Sequence, residues 1–405
     1  MHIAWLGKKS PFCGNVTYGK EITNALLDKG HRVTFLHFAQ TDETGDESTG
    51  YEEVSLPFIF KSQILTIPAL GAARQLREAL KKLNPDIVHA SLILSPLDLK
   101  LPDICQSLGI PLVATFHPAF DRKRRNLSSS TQHLAYQVYA PRLANYDKVI
   151  VFSQLQRNLL VKLGVPADRV AVIPNGVDTA RYVPGPSTIK QELEARQLYV
   201  YQGRLAIEKN VESLLKGWRA ARMNPNDKLV IVGSGPLESS LKAFYADRNI
   251  HWLGFVANED RRIEILRGAD CFILPSLVEG LSLSLLEAMA CGTACVATDA
   301  GADGEVLDQG AGVILETQKV STQLQTLLPL LREHPDVIAL LGQKARERVL
   351  ERYTLSQNIV CLEQLYASLI PSCSWPISLT NKPAASVSQS MLSSGQAAAG
   401  PSVFS

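Results

Sequence analysis

Two glutamates eight residues apart, Glu279 and Glu287, stand in the string PSLVEGLSLSLLEAMACGTACVAT over residues 275–298. Gly280 follows the first, and LSLSLLEAMA then reads as a helix. Glu279 falls just before that helix and Glu287 about two turns into it. At about 100° per residue, eight steps return both carboxylates to nearly one face. Carboxylates accept hydrogen bonds from vicinal diols, so the pair suits the hydroxyls of a ribose and a hexose. The backbone N–H groups at the helix start (Gly280, Leu281 and Ser282) suit phosphate or hydroxyl oxygens. The spacing alone equally suits a helix-dipole partner (Glu279) and a surface glutamate (Glu287). The whole string favours the binding reading.

Cations come next. In YQGRLAIEKN, residues 201–210, a strand ends at Gly203 and Arg204 and Lys209 follow. An arginine fork and a lysine point charge at a strand's carboxyl end suit a diphosphate, although two solvated surface charges would look the same. Gly233 and Gly235, in IVGSGP, make either a close backbone turn near a nucleotide or a plain tight turn. The first βα turn, Gly7 to Gly19, contains Cys13, Gly14 and Asn15 but no G-x-G-x-x-G. Residues 37–40 are His-Phe-Ala-Gln, with no acid to hold a ribose, which argues against a dinucleotide oxidoreductase. His117 closes the strand ATFHP and suits a structural or a cleft-facing role. No Asp-x-Asp triplet occurs, so the simplest metal–diphosphate site is missing and no metal is expected. Arg204 and Lys209 would then neutralise the leaving diphosphate. Seven cysteines (13, 105, 271, 291, 295, 361 and 373) lack metal-ligand spacing and read as small buried thiols.

These groups need a scaffold. Short apolar runs at 2–6, 32–38, 86–90, 111–116 and 148–152 alternate with helical stretches such as 19–30 and 71–83. The rhythm restarts with runs at 197–202, 228–232, 250–253, 270–274, 294–298 and 312–315. Near-continuous apolar strands alternating with helices imply parallel sheets covered on both faces. Between the halves lies a connector punctuated by Pro174, Asn175-Gly176, Pro184 and Pro186. The expected layout is one Rossmann-like domain over 1–185, a second over 195–353, a helix at 354–370 crossing back to the first, and a serine-rich, disordered tail at 371–405. Two facing doubly wound α/β domains put a cleft between the carboxyl ends of their sheets, where ligands bind.

Taken together, the strings resemble the family-4 retaining glycosyltransferases of the GT-B fold over about residues 1–370. The resemblance rests on Gly203–Asn210, Gly233–Pro236, Glu279–Gly292, Pro174–Asp178 and the AGxxGEV loop from Ala300 to Val306. It implies a nucleotide-sugar donor held by the second domain and no required cofactor. Arg204 and Lys209 would contact the diphosphate, Glu287 the ribose and Glu279 the transferred sugar. His117 would touch that sugar near its 6-hydroxyl, and Gly14 would let the first loop approach donor or acceptor. Reaction with retention is also implied. The chain departs from the family pattern at Cys13, Ser282 and Ala294, and none of these removes a charged contact. The opening, MHIAWLGKKSPFCGNVTYGKEITNALLDKGH, is further similar to cyanobacterial-type digalactosyldiacylglycerol synthases. That implies transfer from UDP-galactose to monogalactosyldiacylglycerol.

A lipid acceptor would need an adsorbing face. Residues 56–70 are apolar with one charge, and Arg74, Arg77, Lys81 and Lys82 follow. Arg122, Lys123, Arg124 and Arg125 add a basic patch near His117. Such mixtures suit an anionic membrane surface, or else a buried loop beside solvated charges. Net charge is +2, with 20 basic against 16 acidic residues over 1–180 and 21 against 23 beyond, so the basic half is the first. No apolar run is long enough to span a bilayer, and MHIAWLGKKS reads as a buried strand and not as an export signal. The expectation is a cytoplasmic enzyme at a membrane, photosynthetic if the galactolipid likeness holds, with no nucleic-acid partner. The alternatives are a soluble glycosyltransferase of glycan or small-glycoside synthesis and a non-catalytic sugar-nucleotide-binding protein.

Overall fold

The computed structural model describes residues 1–10, 14–38, 50–62, 65–92, 94–118 and 136–370. Cys13, the basic run Arg122–Arg125 and the tail from 371 lie outside them.

The first half builds a seven-stranded sheet. In chain order its strands are β1 (His2–Gly7), β2 (Arg32–His37) and β3 (Glu52–Ser55), then, after a separate antiparallel hairpin of β4 (Phe58–Lys61) and β5 (Thr66–Pro68), β6 (Ile87–Ser91), β7 (Leu112–Thr115), β8 (Lys148–Val151) and β9 (Val170–Val172). The spatial order is β3-β2-β1-β6-β7-β8-β9. The second half builds a six-stranded sheet from β10 (Gln197–Gln202), β11 (Asp227–Val232), β12 (Ile250–Gly254), β13 (Cys271–Leu274), β14 (Ala294–Thr298) and β15 (Val313–Leu315), ordered β12-β11-β10-β13-β14-β15. Every pairing in both sheets is parallel. The protein is thus two Rossmann-like α/β domains.

The strands follow from their residues. All six side chains of β10, QLYVYQ, are buried, as a central parallel strand covered on both faces requires. The strands that the apolar runs do not reveal are edges. β3 is EEVS and half exposed, and β9 is three residues long. One helix also begins earlier than expected, at Gly14 and not Gly19, and runs to Asp28.

Each sheet reverses its winding once, between β1 and β6 and between β10 and β13. The loops leaving those strands flank the crevice where doubly wound sheets take ligands. The carboxyl-end loops of the two sheets meet. Asn175 Nδ2 donates to the Leu281 carbonyl at 3.0 Å. A Cβ added at Gly280, after β13, would lie 3.4 Å from the carbonyl oxygen of His117, after β7.

Two chain crossings join the domains side by side. The Val177 N–H donates to Tyr353 at 2.9 Å, and Leu355 N–H donates back to Val177 at 2.9 Å. The helix Leu355–Ala367, capped by Thr354, then packs on the first domain. His31 Nε2 lies 2.8 Å from Glu363 Oε1, and the Tyr366 hydroxyl bonds His89 Nδ1. Cys105, Cys271, Cys291 and Cys295 are buried, whereas Cys361, expected buried too, is exposed on this helix.

Candidate functional site

The loops after β10 and β13 carry most of the charged residues. Lys209 ends a short 3₁₀ turn, Ile207–Lys209, and its ammonium lies 2.5 Å from Glu279 Oε1. Ser276 Oγ donates to the same oxygen at 2.7 Å. Two backbone ties fix the loops together. Leu277 N–H donates to Glu208 O at 2.8 Å, and Asn210 Nδ2 donates to Pro275 O at 3.1 Å. Arg204 pairs with Glu208 Oε1 at 3.0 Å, one helical turn away, and its carbonyl accepts from Tyr201 OH at 2.8 Å. The two cations are therefore held by carboxylates, and Lys209 is the more enclosed.

The glycines bring loops into contact. Gly233 has φ +131°, and a Cβ there would sit 1.9 Å from the Gly203 carbonyl oxygen. At Gly235 the same test meets Leu205 O at 2.4 Å. Their missing side chains thus let the loop after β11 lie against the loop after β10, from Gly203 to Leu205, which supports the Arg204 segment from behind. Gly203 itself faces the Tyr201 hydroxyl, 2.8 Å from an added Cβ.

The expected helix geometry around the glutamates needs correction. The helix is Leu283–Ala290, with Ser282 as its N-cap; Ser282 Oγ accepts from Leu285 N–H at 3.4 Å. Glu279 lies in the preceding loop and Glu287 only about one turn into the helix, so helical phase does not relate them. They meet different partners: Glu279 takes Lys209, while Glu287 accepts from Gln202 Nε2 at 2.8 Å at the end of β10. The Ser282 N–H is not an open donor either, since it donates to Asp303 Oδ1 at 3.0 Å. Gly280 O accepts from Ala302 N–H at 2.8 Å, so residues 280–282 are zipped to the loop after β14.

Asp303 is a residue that pattern reading passed over; it fell on an unspecified position of the AGxxGEV loop. It is 1% exposed, and its Oδ2 is buried without a partner. Burial, and after it the nearby Glu279, push its carboxyl well above the usual range. Burial, helped by the carboxylates of Glu259 and Glu21 against the pull of Arg262, also pushes the Glu287 carboxyl up to about 7. Glu21 belongs to the first-domain helix Gly14–Asp28, so the charge on Glu287 is felt across the cleft.

The first domain supplies His117. Its Nε2 lies 2.8 Å from Ser91 Oγ, and Ser91 donates to Asn15 Oδ1 at 2.7 Å. A serine has one hydrogen to give, so with that hydrogen on Asn15 it accepts from His117 Nε2–H, leaving Nδ1 as the ring's acceptor. Burial and the neighbouring Lys8 push the imidazole down to about 3, so it is neutral near pH 7. Ser91 had no sequence signal, and Asn15 stood out only as part of the first βα turn; distant chain brings the two together. Gly14 opens its helix in free space; an added Cβ meets nothing within 4 Å. Among the described residues, no group of three or more His, Cys, Asp or Glu stands together as a metal site.

Comparisons with known proteins cover both halves. Residues 14–181 match the model for Glycosyltransferase Family 4, and residues 196–359 match that for Glycosyl transferases group 1. The chain is 29% identical over 273 residues to the alpha-maltose-1-phosphate synthase of Mycolicibacterium smegmatis, covering 61% of this chain and 70% of that protein. It is 25% identical over 320 residues to the UDP-Gal:alpha-D-GlcNAc-diphosphoundecaprenol alpha-1,3-galactosyltransferase of Escherichia coli, covering 73% and 78%. In fold it is similar to Anabaena Alr3699/HepE solved with UDP-glucose, with TM-score 0.74 and 19% identity over 91% of this chain and all of that one.

Proposed function

This chain is a glycosyltransferase that takes its sugar from a nucleotide sugar, with a Family 4 domain followed by a group 1 domain, and from that premise we propose that it moves galactose from UDP-galactose, with retention, to a membrane glycolipid. The specific reaction is conversion of monogalactosyldiacylglycerol to digalactosyldiacylglycerol. The observation that carries the donor site is the Lys209–Glu279 pair at the β10/β13 crevice, with Gly280 directly beneath the His117 carbonyl. A UDP-galactose donor and a lipid-linked acceptor are both found in the name of the Escherichia coli relative.

Lys209 and Arg204 neutralise the diphosphate, and Glu279 accepts from hydroxyls of the transferred hexose. Glu287 accepts from the ribose diol. Neutral His117 turns its Nδ1 acceptor to a sugar hydroxyl from the opposite domain. The acceptor hydroxyl attacks the anomeric carbon on the face from which the diphosphate departs. The bond from that carbon to the phosphate oxygen breaks, and the acceptor's proton passes to the leaving oxygen. Lys209 and Arg204 stabilise the charge that grows there.

The donor site carries a pH signature. Glu287 serves the ribose as a carboxylate, and its raised pKa means that it is protonated below about 7. Donor affinity is therefore expected to be full above pH 7 and to fall as pH drops through it, approaching a tenfold loss per unit. Titration calorimetry with UDP between pH 6 and 8.5 measures this. Glu287→Gln should bind more weakly at pH 8.5 and show a flat profile; a wild-type profile already flat contradicts the assignment.

Transfer of radiolabelled sugar from UDP-galactose, UDP-glucose and GDP-mannose to monogalactosyldiacylglycerol in mixed micelles tests the whole reading. A digalactolipid product from UDP-galactose alone supports it, and the product's anomeric coupling checks retention. The likeness to alpha-maltose-1-phosphate synthase favours a second reading, a soluble small-glycoside acceptor. Donor turnover with no lipid product would select it. UDP binding without any turnover would leave a sugar-nucleotide-binding protein.

A further inference from the structure

We propose that the β4–β5 hairpin is the element by which this protein docks on an anionic lipid bilayer, and that it places the bilayer at the first-domain mouth of the crevice; this rests on the glycolipid acceptor proposed above. Large apolar side chains crowd here without cover: Ile59 is 71% exposed, Phe60 50%, Leu65 38%, Ile67 37% and Leu70 100%. The register of the pair shifts between Phe58 and Phe60, so Ile59 is an extra residue at a bulge that interrupts the strand's alternation, and Ile59 and Phe60 are both left exposed. Two strands alone are marginal in water. This pair is instead anchored from behind. Phe58 packs on the first-domain core, and Lys61 lies over the Phe58 ring, 5.0 Å from its centre.

The charge around it selects the occupant. The helix Ala72–Leu83 follows the hairpin, buries Ala72, Leu76 and Leu80, and turns Arg74, Arg77, Lys81 and Lys82 to solvent. From residue 57 to 83 there are five cations, counting Lys61, and one carboxylate, Glu78. Apolar side chains flanked by cations match the acyl boundary and the phosphates of an anionic leaflet, the first taking the former and the second the latter.

Two contacts tie this surface to the site. Lys8 Nζ donates to the Ser62 carbonyl at 3.1 Å, and Lys61 Nζ donates to Ser10 Oγ at 2.5 Å. Lys8 and Ser10 belong to the loop leaving β1 at the switch point, and Lys8 is the cation that acts on His117. A bilayer on the hairpin would therefore present lipid headgroups beside His117, opposite the Lys209–Glu279 pair.

Vesicle sedimentation of the full chain tests this, with phosphatidylcholine vesicles alone or carrying phosphatidylglycerol, and UDP binding measured on every variant. Wild type should sediment with the anionic vesicles. The triple variant Ile59→Ser/Phe60→Ser/Leu70→Ser should lose at least about tenfold in partitioning, and Arg74→Glu/Arg77→Glu should lose the preference for the anionic lipid. Both should bind UDP like wild type, which shows that they fold. Unchanged sedimentation of the triple variant overturns the proposal. So does a wild-type dimer in the absence of lipid that the triple variant abolishes, because a second copy then covers the patch. If wild type fails to bind UDP, the donor reading falls, and the sedimentation result still decides the hairpin.

Discussion

Lys209→Ala is expected to lower the transfer rate about 10²–10³-fold with the fold intact. The reason is position. Lys209 sits at the β10/β13 switch point, part-buried, where a departing diphosphate would gather charge. A cation preorganised there acts more strongly in the transition state than in the ground state, so kcat should fall more than the affinity for UDP. Removing it also leaves Glu279 with Ser276 as its remaining hydrogen-bond donor among the described residues. Part of the loss should therefore come from a displaced Glu279, which a double-mutant cycle with Glu279→Gln separates. If the lysine serves only to hold the glutamate, the double variant will be no worse than either single one. If the two act on separate parts of the donor, each will add its own loss. Arg204→Ala should cost less, because Arg204 is more exposed and already paired within its own turn. A kcat for Lys209→Ala within threefold of wild type would remove the lysine from the reaction.

What could be read from the chain follows a physical divide. The central strands were legible because a parallel strand covered on both faces is buried throughout and so mostly apolar, as β13 is at every position and β10 is between its terminal glutamines. Two sheets in succession, and so the two-domain α/β class, followed from that. Edge strands escaped because solvent relaxes the demand: β3 is mostly polar. The hairpin was visible as an apolar segment, but whether it was buried or exposed depended on what packs against it, and no local pattern records that.

The site divides in the same way. Strings fixed by backbone geometry, such as Gly203 to Lys209 and Glu279 to Glu287, stood out, and the structure brings Lys209 to Glu279. The phase argument between the glutamates failed because the helix begins at Leu283 and not beside Glu279. Ser91, Asn15 and Asp303 act through partners 76, 76 and 21 residues away respectively, in contacts that exist only once the sheets form.

Gly301→Ala is the structural counterpart to Lys209→Ala and should remove activity by moving backbone and no charge. Gly301 has φ +58°, and a Cβ there would sit 2.0 Å from the Glu279 carbonyl oxygen and 2.7 Å from that of Gly280. Neither atom is the end of a flexible side chain, so one of the two loops must move. The left-handed conformation costs an alanine about 1–2 kcal/mol, and forcing the loops apart adds about 1–3 kcal/mol. Gly254→Ala isolates the first cost, since Gly254 has φ +67° and an added Cβ there meets nothing within 4 Å. The difference between the two variants in urea unfolding is then the cost of the clash alone. The clash falls on the segment that carries Glu279 and on the zipper from Gly280 and Ser282 to Ala302 and Asp303. Gly301→Ala should therefore lose donor affinity and turnover beyond what its stability predicts, while Gly254→Ala should keep both. Equal stability and equal activity in the two variants would mean that this loop shifts freely, and that the Glu279 carboxylate is not held in place by the loop after β14.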